Sequence, residues 1–367
     1  AGGPFWCAQD NVLQALGPCM TDGGLVNVLY LAGIVDNTAL YGFIDPPSSL
    51  AGARVWFMSA NNDTVVARSV VQANVALTSM YLSNPGQQVQ TVYNVPGEHA
   101  QLTDSYGSAC TYLGSPYINH CGYAAAQSAL AWLYPATISP PGPAPADDDP
   151  APAPAAGAGV LTCRYGTPAA LAATARDTRA AALPTCTAPP PSPDGVPVLR
   201  TAAGTVYNFN QGLFVDGGGW SSAVGLAQTA FIYIPDVCLR NGSSPTTVCT
   251  LHTAFHGCLQ TIDDIGTQYV TDGGYLPLAD ANNLVVLFPQ AISNLLNPKG
   301  CFDWWGYAGP QYASNIGTQT LAVKRVMDVV MGQPITPNRS LTHAEDLAAF
   351  TASTVPLPRK SLRHAAA

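Results

Sequence analysis

The chain has 367 residues, of which 47% are hydrophobic and only 10% are charged, and its formal net charge at pH 7 is −8. This composition excludes nucleic acid and anionic membranes as partners, since phosphate contacts need clustered Lys and Arg, and the one short basic patch is Arg359, Lys360 and Arg363. No run of about 18 apolar residues predicts a transmembrane helix. The low charge suits a secreted protein that works on an apolar surface.

Two strand-and-loop units are predicted near the start of the chain. Residues 54–58 read as a buried strand, and the apolar spacing over residues 65–82 predicts a helix. Residues 88–95 predict a second strand. Asp63 stands in the loop after the first strand and His99 in the loop after the second. Since α/β sheets place their chemistry at the carboxyl ends of strands, both side chains are candidates for a site.

Composition divides the chain into four parts. Pro- and Ala-rich segments cannot bury enough apolar surface to fold, and they interrupt the ordered regions. We predict the following organisation: residues 1–134 as the first part of one domain, opening with a loop-rich segment at 1–50 and ending in a helix at 122–134; 135–196 as a Pro/Ala-rich insertion with a small island around Cys163 and Cys186; 197–333 as the second part of the domain; and 334–367 as a loosely ordered tail.

The second part of the domain is predicted to be rich in short strands. They are residues 206–209, 230–235, 251–255 and 283–288, followed by an amphipathic helix at 317–331.

The strand at 251–255 runs into a turn at His256-Gly257-Cys258, and a helix-compatible segment begins at Gln260. A strand that ends in His-Gly indicates an oxyanion hole, where backbone N–H groups hold the negative oxygen of a tetrahedral acyl intermediate. The alternative interpretation is a glycine turn in which Cys258 is only half of a disulfide.

The ten cysteines contain no C-x-x-C motif, which gives little support to a zinc or redox site. Their even number predicts five disulfides formed in an oxidising compartment. Sequence alone does not fix the connectivity. We hypothesise that neighbours pair: Cys7 with Cys19, Cys110 with Cys121, Cys163 with Cys186, Cys238 with Cys249, and Cys258 with Cys301. Sequons at Asn62, Asn241 and Asn338 allow glycosylation in a eukaryotic host.

Three stretches together carry a family likeness: His256-Gly257-Cys258-Leu259-Gln260, Phe288-Pro289-Gln290-Ala291, and Gly300-Cys301-Phe302-Asp303-Trp304-Trp305-Gly306-Tyr307. They resemble the signature of extracellular poly(3-hydroxybutyrate) depolymerases, above all the single-domain fungal type. The resemblance extends over about residues 1–134 and 197–333 and supports every disulfide pair except the one at Cys163. It implies an α/β fold of the α/β-hydrolase type, circularly permuted, in which the acid and base precede the oxyanion turn.

By this resemblance Asp63 is the acid of a catalytic triad, His99 is its base, and Cys258 supplies a backbone oxyanion donor. The resemblance also implies that Trp304, Trp305 and Tyr307 form an apolar surface that contacts the polyester. Each residue has another interpretation, because Asp63 could cap a helix, His99 could be a surface histidine, and the aromatic residues could belong to the core. The family uses no metal or organic cofactor, and we expect a secreted, extracellular monomer acting on a hydrophobic polyester.

The serine nucleophile of such a triad is not evident, because the sequence contains no G-x-S-x-G elbow. The nearest stretch, Gly219-Trp220-Ser221-Ser222-Ala223, is interpreted as a turn before the strand at 230–235. The family carries its elbow upstream of the segment that resembles Ala1-Gly2-Gly3-Pro4. We therefore expect an N-terminally truncated chain that lacks the nucleophile-elbow strand and helix and is inactive alone. The alternatives are a feruloyl or acetyl esterase of the same superfamily and a non-catalytic polyester-binding relative.

Overall fold

A computed structural model describes residues 3–135, 138, 162–164, 185–187, 199, 201, 203–215, 221–238 and 249–331, with the backbone alone for 162–164 and 185–187. The predicted tail at 334–367 and most of the predicted insertion at 135–196 lie outside these residues. The two predicted parts of the domain are therefore the parts whose structure is described.

The described residues form short strands and helices. The strands are β1 (Val55–Met58), β2 (Val89–Val92), β3 (Gln101–Thr103), β4 (Ser108–Ala109), β5 (Ile118–His120), β6 (Thr162–Arg164), β7 (Thr185–Thr187), β8 (Gly204–Asn210), β9 (Thr229–Pro235), β10 (Thr250–Thr253) and β11 (Leu284–Phe288). The helices are α1 (Val12–Leu16), α2 (Pro18–Thr21), α3 (Val28–Leu40), α4 (Arg68–Ser79), α5 (Pro85–Gln88), α6 (Ala125–Leu133), α7 (Ile262–Ile265), α8 (Gln268–Asp272), α9 (Leu276–Asn282) and α10 (Thr318–Val330). Short 3-10 helices lie at Gly23–Leu25, Pro47–Leu50, Gln211–Phe214, Ser221–Val224 and Asp236–Cys238.

The largest described sheet has four strands in the order β10-β11-β9-β8. β10 and β11 are parallel, whereas β9 runs antiparallel to both β11 and β8. β11 is buried along its whole length, which is why it reads as an unbroken apolar run in the sequence. Its alternate side chains enter two separate cores: Leu284, Val286 and Phe288 on one face, Val285 and Leu287 on the other. α10 covers the second face.

A second sheet holds the two predicted loops. β1 and β2 pair in parallel, with Val55 opposite Val89 and Met58 opposite Val92. Because parallel strands in this register end at the same edge, the loops that follow them leave from one side of the sheet. Those loops contain Asp63 and His99. α4 and α6 both contact β1.

The first 50 residues were predicted to be loop-rich, and that prediction is wrong. α1, α2 and the longer α3 occupy this segment. α3 has apolar residues around most of its circumference, so Leu29 is 75% exposed while Leu31 is 1% exposed. Without a polar face the sequence shows no helical period. Asn27 caps the helix by accepting a hydrogen bond from the Tyr30 N–H at 3.0 Å.

Four of the five predicted disulfides are formed: Cys7–Cys19, Cys110–Cys121, Cys238–Cys249 and Cys258–Cys301. The fifth stays a prediction. Its two residues stand opposite each other in the antiparallel pair β6 and β7, but their side chains lie outside the described part of the chain. Within the residues that are described, no helix is both long enough and apolar enough to cross a membrane.

Candidate active site

Asp63 and His99, which are 36 residues apart, are in direct contact. His99 Nδ1 lies 2.9 Å from Asp63 Oδ2. The other oxygen, Asp63 Oδ1, accepts the N–H of Val65 at 3.0 Å and of Val66 at 2.8 Å. Burial raises the pKa of the Asp63 carboxyl, but the hydrogen bond and charge of His99 and the two amides outweigh it, so the pKa is lowered overall. The helix-cap interpretation of Asp63 is wrong, because the next helix begins at Arg68 and has no side-chain cap, so the two amides that Asp63 accepts belong to the bend before that helix.

The position of His99 suits a base that must reach a substrate. Its side chain is 43% exposed, while that of Asp63 is 12% exposed. His99 Nε2 has no hydrogen-bond partner among the residues that the structure describes. A histidine whose Nδ1 is bound by a buried carboxylate presents Nε2 as its free proton acceptor.

Glu98 joins the two loops and was missed by the sequence reasoning. It is 6% exposed, and its carboxylate accepts the Thr64 N–H at 3.2 Å and also binds the Thr64 hydroxyl and the His99 N–H. One buried carboxylate thus binds both Thr64, the residue after Asp63, and the backbone of His99. The only signal in the sequence was the position of Glu98 beside His99. A Glu in a loop is normally exposed, so its burial could not be predicted.

The turn after β10 leaves one candidate oxyanion donor unpaired. The Gly257 N–H donates to Gln260 Oε1 at 2.7 Å, and the Leu259 N–H donates to the Lys299 carbonyl at 2.7 Å. Cys258 between them is an exposed residue, and its N–H has no partner among the described residues. Leu259 has a φ of 59°, a left-handed conformation that a Leu rarely adopts and that the surrounding bonds must hold.

The buried His256 side chain holds this turn through two hydrogen bonds. Its Nδ1 donates to the Gly257 carbonyl at 2.7 Å, and its Nε2 accepts the Ala291 N–H at 3.0 Å. The His-Gly-Cys turn and the Phe-Pro-Gln-Ala turn after β11 are therefore joined through one imidazole. Burial lowers the pKa of His256 to about 4, against smaller opposing effects of the Gly257 carbonyl and Asp264, so the ring is neutral at pH 7. Its role is structural.

The predicted aromatic surface is only partly exposed. Trp304 packs against the cluster around Cys7 and Cys19, and Trp305 lies between Trp304 and Tyr307, with ring centroids 5.5 and 4.8 Å away. The Tyr307 hydroxyl donates to the Cys301 carbonyl at 2.7 Å and receives a hydrogen bond from Gln319.

Asp303 shapes this aromatic loop and was also missed. Its carboxylate accepts the backbone N–H groups of Trp305, Gly306 and Tyr307 on Oδ1 and of Ala308 on Oδ2, at 2.7 to 3.3 Å. Burial raises the pKa of this carboxyl, while the four amides act in the opposite direction. Such a run of amides around one side chain cannot be read from composition or periodicity.

An open apolar cavity of about 530 Å³ has Phe255, the residue before the His-Gly-Cys turn, in its lining. Its lining includes Phe255, Phe302, Ile316, Val323 and Met327. Phe255 is 49% exposed and directly precedes His256, and its ring meets that of Phe302 with centroids 5.0 Å apart. The three predicted aromatic residues, Trp304, Trp305 and Tyr307, do not line this cavity.

Ser221, in the stretch nearest to an elbow motif, is 3% exposed. It begins a 3-10 helix, and its carbonyl accepts the Leu226 N–H at 3.0 Å. This geometry agrees with a structural turn. Among the residues described, no group of three or more His, Cys, Asp or Glu side chains could hold a metal ion.

Two curated proteins match most of the chain in sequence. A poly(3-hydroxybutyrate) depolymerase from Delftia acidovorans is 31% identical over 330 residues, which cover 90% of this chain and 53% of that protein. A polyhydroxybutyrate depolymerase from Talaromyces funiculosus is 26% identical over 347 residues, which cover 90% of this chain and 80% of that protein. The chain spans about half the length of the Delftia protein. No protein-family model matches the chain.

Two solved structures share the fold. The crystal structure of PHB depolymerase from Penicillium funiculosum aligns with a TM-score of 0.64 and 25% identity, covering 91% of this chain and 86% of that one. A PHB depolymerase with a serine-to-alanine substitution, in complex with an R3HB trimer, aligns with a TM-score of 0.63 and 25% identity, covering 90% and 86%.

Proposed function

Because the chain is a homologue of the polyhydroxybutyrate depolymerases and has an α/β-hydrolase fold, we propose that it carries the acid, base and oxyanion donor of a secreted serine esterase that hydrolyses polyhydroxybutyrate-type polyester. The observation that carries the proposal is the hydrogen bond between His99 Nδ1 and Asp63 Oδ2. The four formed disulfides favour an oxidising, extracellular location.

The chemistry follows from the roles of the three groups. Asp63 holds the proton of His99 on Nδ1, so Nε2 accepts the proton of a serine hydroxyl as its oxygen attacks the ester carbonyl. The Cys258 N–H donates to the oxygen that becomes negative in the tetrahedral intermediate. His99 then returns the proton to the departing alcohol, leaving an acyl-serine. Water, deprotonated by the same Nε2, hydrolyses that ester.

The serine itself is proposed to lie on a strand outside the described residues. β10 forms one edge of its sheet and β1 one edge of the other, and neither has an outer strand partner among the described residues. Ser59 Oγ, directly after β1, and Thr253 Oγ1, at the end of β10, are buried without a hydrogen-bond partner in that part of the chain. At least one further strand between these edges would pair both backbones and carry the nucleophile between His99 and Cys258.

The apolar cavity supports an apolar ester as substrate. Phe255, Phe302 and Met327 give an aliphatic acyl or alcohol chain an apolar surface, and Phe255 directly precedes the His-Gly-Cys turn. Trp304, Trp305 and Tyr307 are proposed to add to that surface where their rings remain exposed. The low charge of the chain as a whole is compatible with contact to a solid polyester.

The proposal is tested by measuring ester hydrolysis by the native secreted protein. Film of poly(3-hydroxybutyrate) is compared with a feruloyl ester and with acetylated xylan, and a fluorophosphonate probe identifies the reactive serine by mass spectrometry. We expect release of 3-hydroxybutyrate oligomers from film and labelling of one serine, both abolished in His99→Ala.

Three other results would contradict the proposal. Cleavage of feruloyl or acetyl esters with intact film would support the esterase alternative. Adsorption to film without hydrolysis or labelling would support the non-catalytic alternative. Labelling of Ser221 would overturn the placement of the nucleophile outside the described residues.

A further inference from the structure

Gln260 closes the His-Gly-Cys-Leu-Gln motif, and the triad chemistry gives it no role. It is 4% exposed, and its side chain is fully engaged. Its Oε1 accepts the Gly257 N–H at 2.7 Å. Its Nε2 donates to the carbonyls of Tyr117 at 2.9 Å and Pro116 at 3.2 Å. A buried amide that uses both its donor and its acceptor on separate backbone segments ties those segments together.

The segment on the far side leads directly to the proposed base. The Tyr117 carbonyl that accepts from Gln260 also accepts the Gln101 N–H at 2.8 Å. Gln101 begins β3 and lies two residues after His99. A continuous path therefore runs from the Gly257 amide through the Gln260 side chain and the Tyr117 carbonyl to the Gln101 amide.

This path connects two parts of the molecule whose strands belong to different sheets. Cys258 follows β10 of the four-stranded sheet, while His99 follows β2 of the two-stranded sheet, and these sheets share no strand pair among the described residues. The disulfides Cys258–Cys301 and Cys110–Cys121 each close within one part. Other hydrogen bonds also cross between the two parts, from Gln101 Nε2 to the Gly273 carbonyl and from the Tyr106 hydroxyl to Gln268 Oε1, both at 3.0 Å. Neither of these bonds involves the turn, whereas the bonds of Gln260 do.

We propose that Gln260 is a positioning residue that fixes the oxyanion turn relative to the base loop, and this inference rests on the proposed esterase function. By engaging the Gly257 N–H, Gln260 leaves the Cys258 N–H as the unpaired donor of the turn. By holding Pro116 and Tyr117, it sets the distance between that donor and His99. Displacing a catalytic group by about 1 Å lowers turnover by about 100-fold, because reaction requires alignment within a narrow range.

The test compares Gln260→Met with a matched control. Met has a similar length and removes both the donor and the acceptor. Gln88 makes the same set of contacts elsewhere, since its Oε1 accepts the Asn84 N–H at 2.5 Å and its Nε2 donates to the Ala51 and Ala53 carbonyls at 2.7 and 2.8 Å. Gln88 lies at the amino end of β2, opposite to the end that leads to His99. Gln88→Met therefore controls for the general effect of losing such an amide.

Two readouts are taken on the native protein. Hydrogen exchange at the Gly257 and Gln101 amides should be faster in Gln260→Met and unchanged in Gln88→Met. In ester hydrolysis, kcat should fall about 100-fold in Gln260→Met with KM changed less than about threefold, while Gln88→Met stays close to wild type.

A second variant separates the two halves of the contact. Gln260→Glu keeps an acceptor for the Gly257 N–H but turns a carboxylate oxygen toward the Pro116 and Tyr117 carbonyls. We expect protection of the Gly257 amide to persist while Gln101 exchange and kcat change as in Gln260→Met. It also serves as the test if Gln260→Met does not fold.

Equal exchange in the Gln260 and Gln88 variants at both amides would overturn the proposal, as would a loss of activity expressed only in KM. Absence of hydrolysis by the wild-type protein would instead contradict the proposed function. The exchange measurement would still decide whether Gln260 couples the two loops.

Discussion

His99 Nδ1 lies 2.9 Å from Asp63 Oδ2, although the two residues belong to loops after different strands. The parallel pairing of β1 and β2 brings those loops to one edge, and Glu98 fastens them to each other. This relationship gives Asp63 two functions at once, as the acceptor of the Val65 and Val66 amides and as the partner of His99.

Replacing Asp63 by Asn is expected to lower kcat for ester hydrolysis about 10,000-fold at neutral pH, because an amide no longer holds the proton of His99 on Nδ1. Adsorption to polymer film should not change. Asp104→Asn, at an exposed position of the same region, is the control. Wild-type turnover by Asp63→Asn, or equal losses in the two variants, would rule out Asp63 as the acid.

Removing the disulfide Cys258–Cys301 is expected to lower kcat even under conditions where the variant is fully folded, because the disulfide holds the His-Gly-Cys turn in place. The loop that it closes spans 43 residues, which corresponds to a stabilisation of about 4 kcal/mol by loop entropy. Cys238–Cys249 closes a loop of 11 residues, worth about 3 kcal/mol, and is the control. Urea unfolding and kcat are measured for both Cys-to-Ser double variants under conditions where each is folded. Equal kcat in the two would show that the turn does not depend on its disulfide.

Stability is expected to fall as the pH is lowered from about 6.5 to about 4. Burial lowers the pKa of His252 and of His256 to about 4 in the folded protein, whereas both rings titrate near 6.5 when unfolded. In this window the unfolded chain binds protons that the folded chain does not, so the free energy of unfolding decreases, by roughly 3 kcal/mol per ring. Asp63, whose pKa is lowered, adds a further loss only below about pH 4.

The measurement is the urea midpoint as a function of pH. His252→Phe should make the dependence shallower, because it removes one of the two rings. His120→Gln, at an exposed histidine, should leave the slope unchanged. The same slope in all three proteins would show that the buried rings do not govern acid stability.

Asp303→Ala is expected to destabilise the aromatic loop by about 3 kcal/mol, because four backbone N–H groups lose a charged acceptor. Asp303→Asn keeps an oxygen for three of the four amides and should lose only about 1 kcal/mol. Thermal unfolding measures both, and tryptophan fluorescence reports the environment of Trp304 and Trp305. Equal stability of the Ala and Asn variants would contradict this account.

Local pattern predicted part of the elements correctly. The strands β1, β2 and β11 and the helices α4, α6 and α10 lie within the predicted ranges, and β9 and β10 each begin one residue before theirs. Their signals depend on residues only a few positions apart. α3 was missed because it is apolar on most sides, so the feature that periodicity detects was absent from its sequence.

The candidate site divides in the same way. The motifs pointed to Asp63, His99 and Cys258 and, through the family resemblance, to polyester, and close spacing suggested the disulfide pairs that formed. Glu98, Asp303 and the link from Gln260 to Tyr117 were not predicted. Each binds backbone groups that are either distant in sequence or part of an irregular loop. Such contacts produce no periodic pattern of apolar and polar residues in the sequence.

The sequence by itself determined the position of the strongly patterned strands and helices and which residue types could perform acyl transfer, because propensity, polarity and chemistry belong to each residue and its neighbours. Only the tertiary structure decided that Asp63 meets His99, that the Cys258 N–H stays unpaired, and that Phe255 and Phe302 line one cavity. Those outcomes depend on strand register and on hydrogen bonds between distant segments, which exist only once the chain has folded.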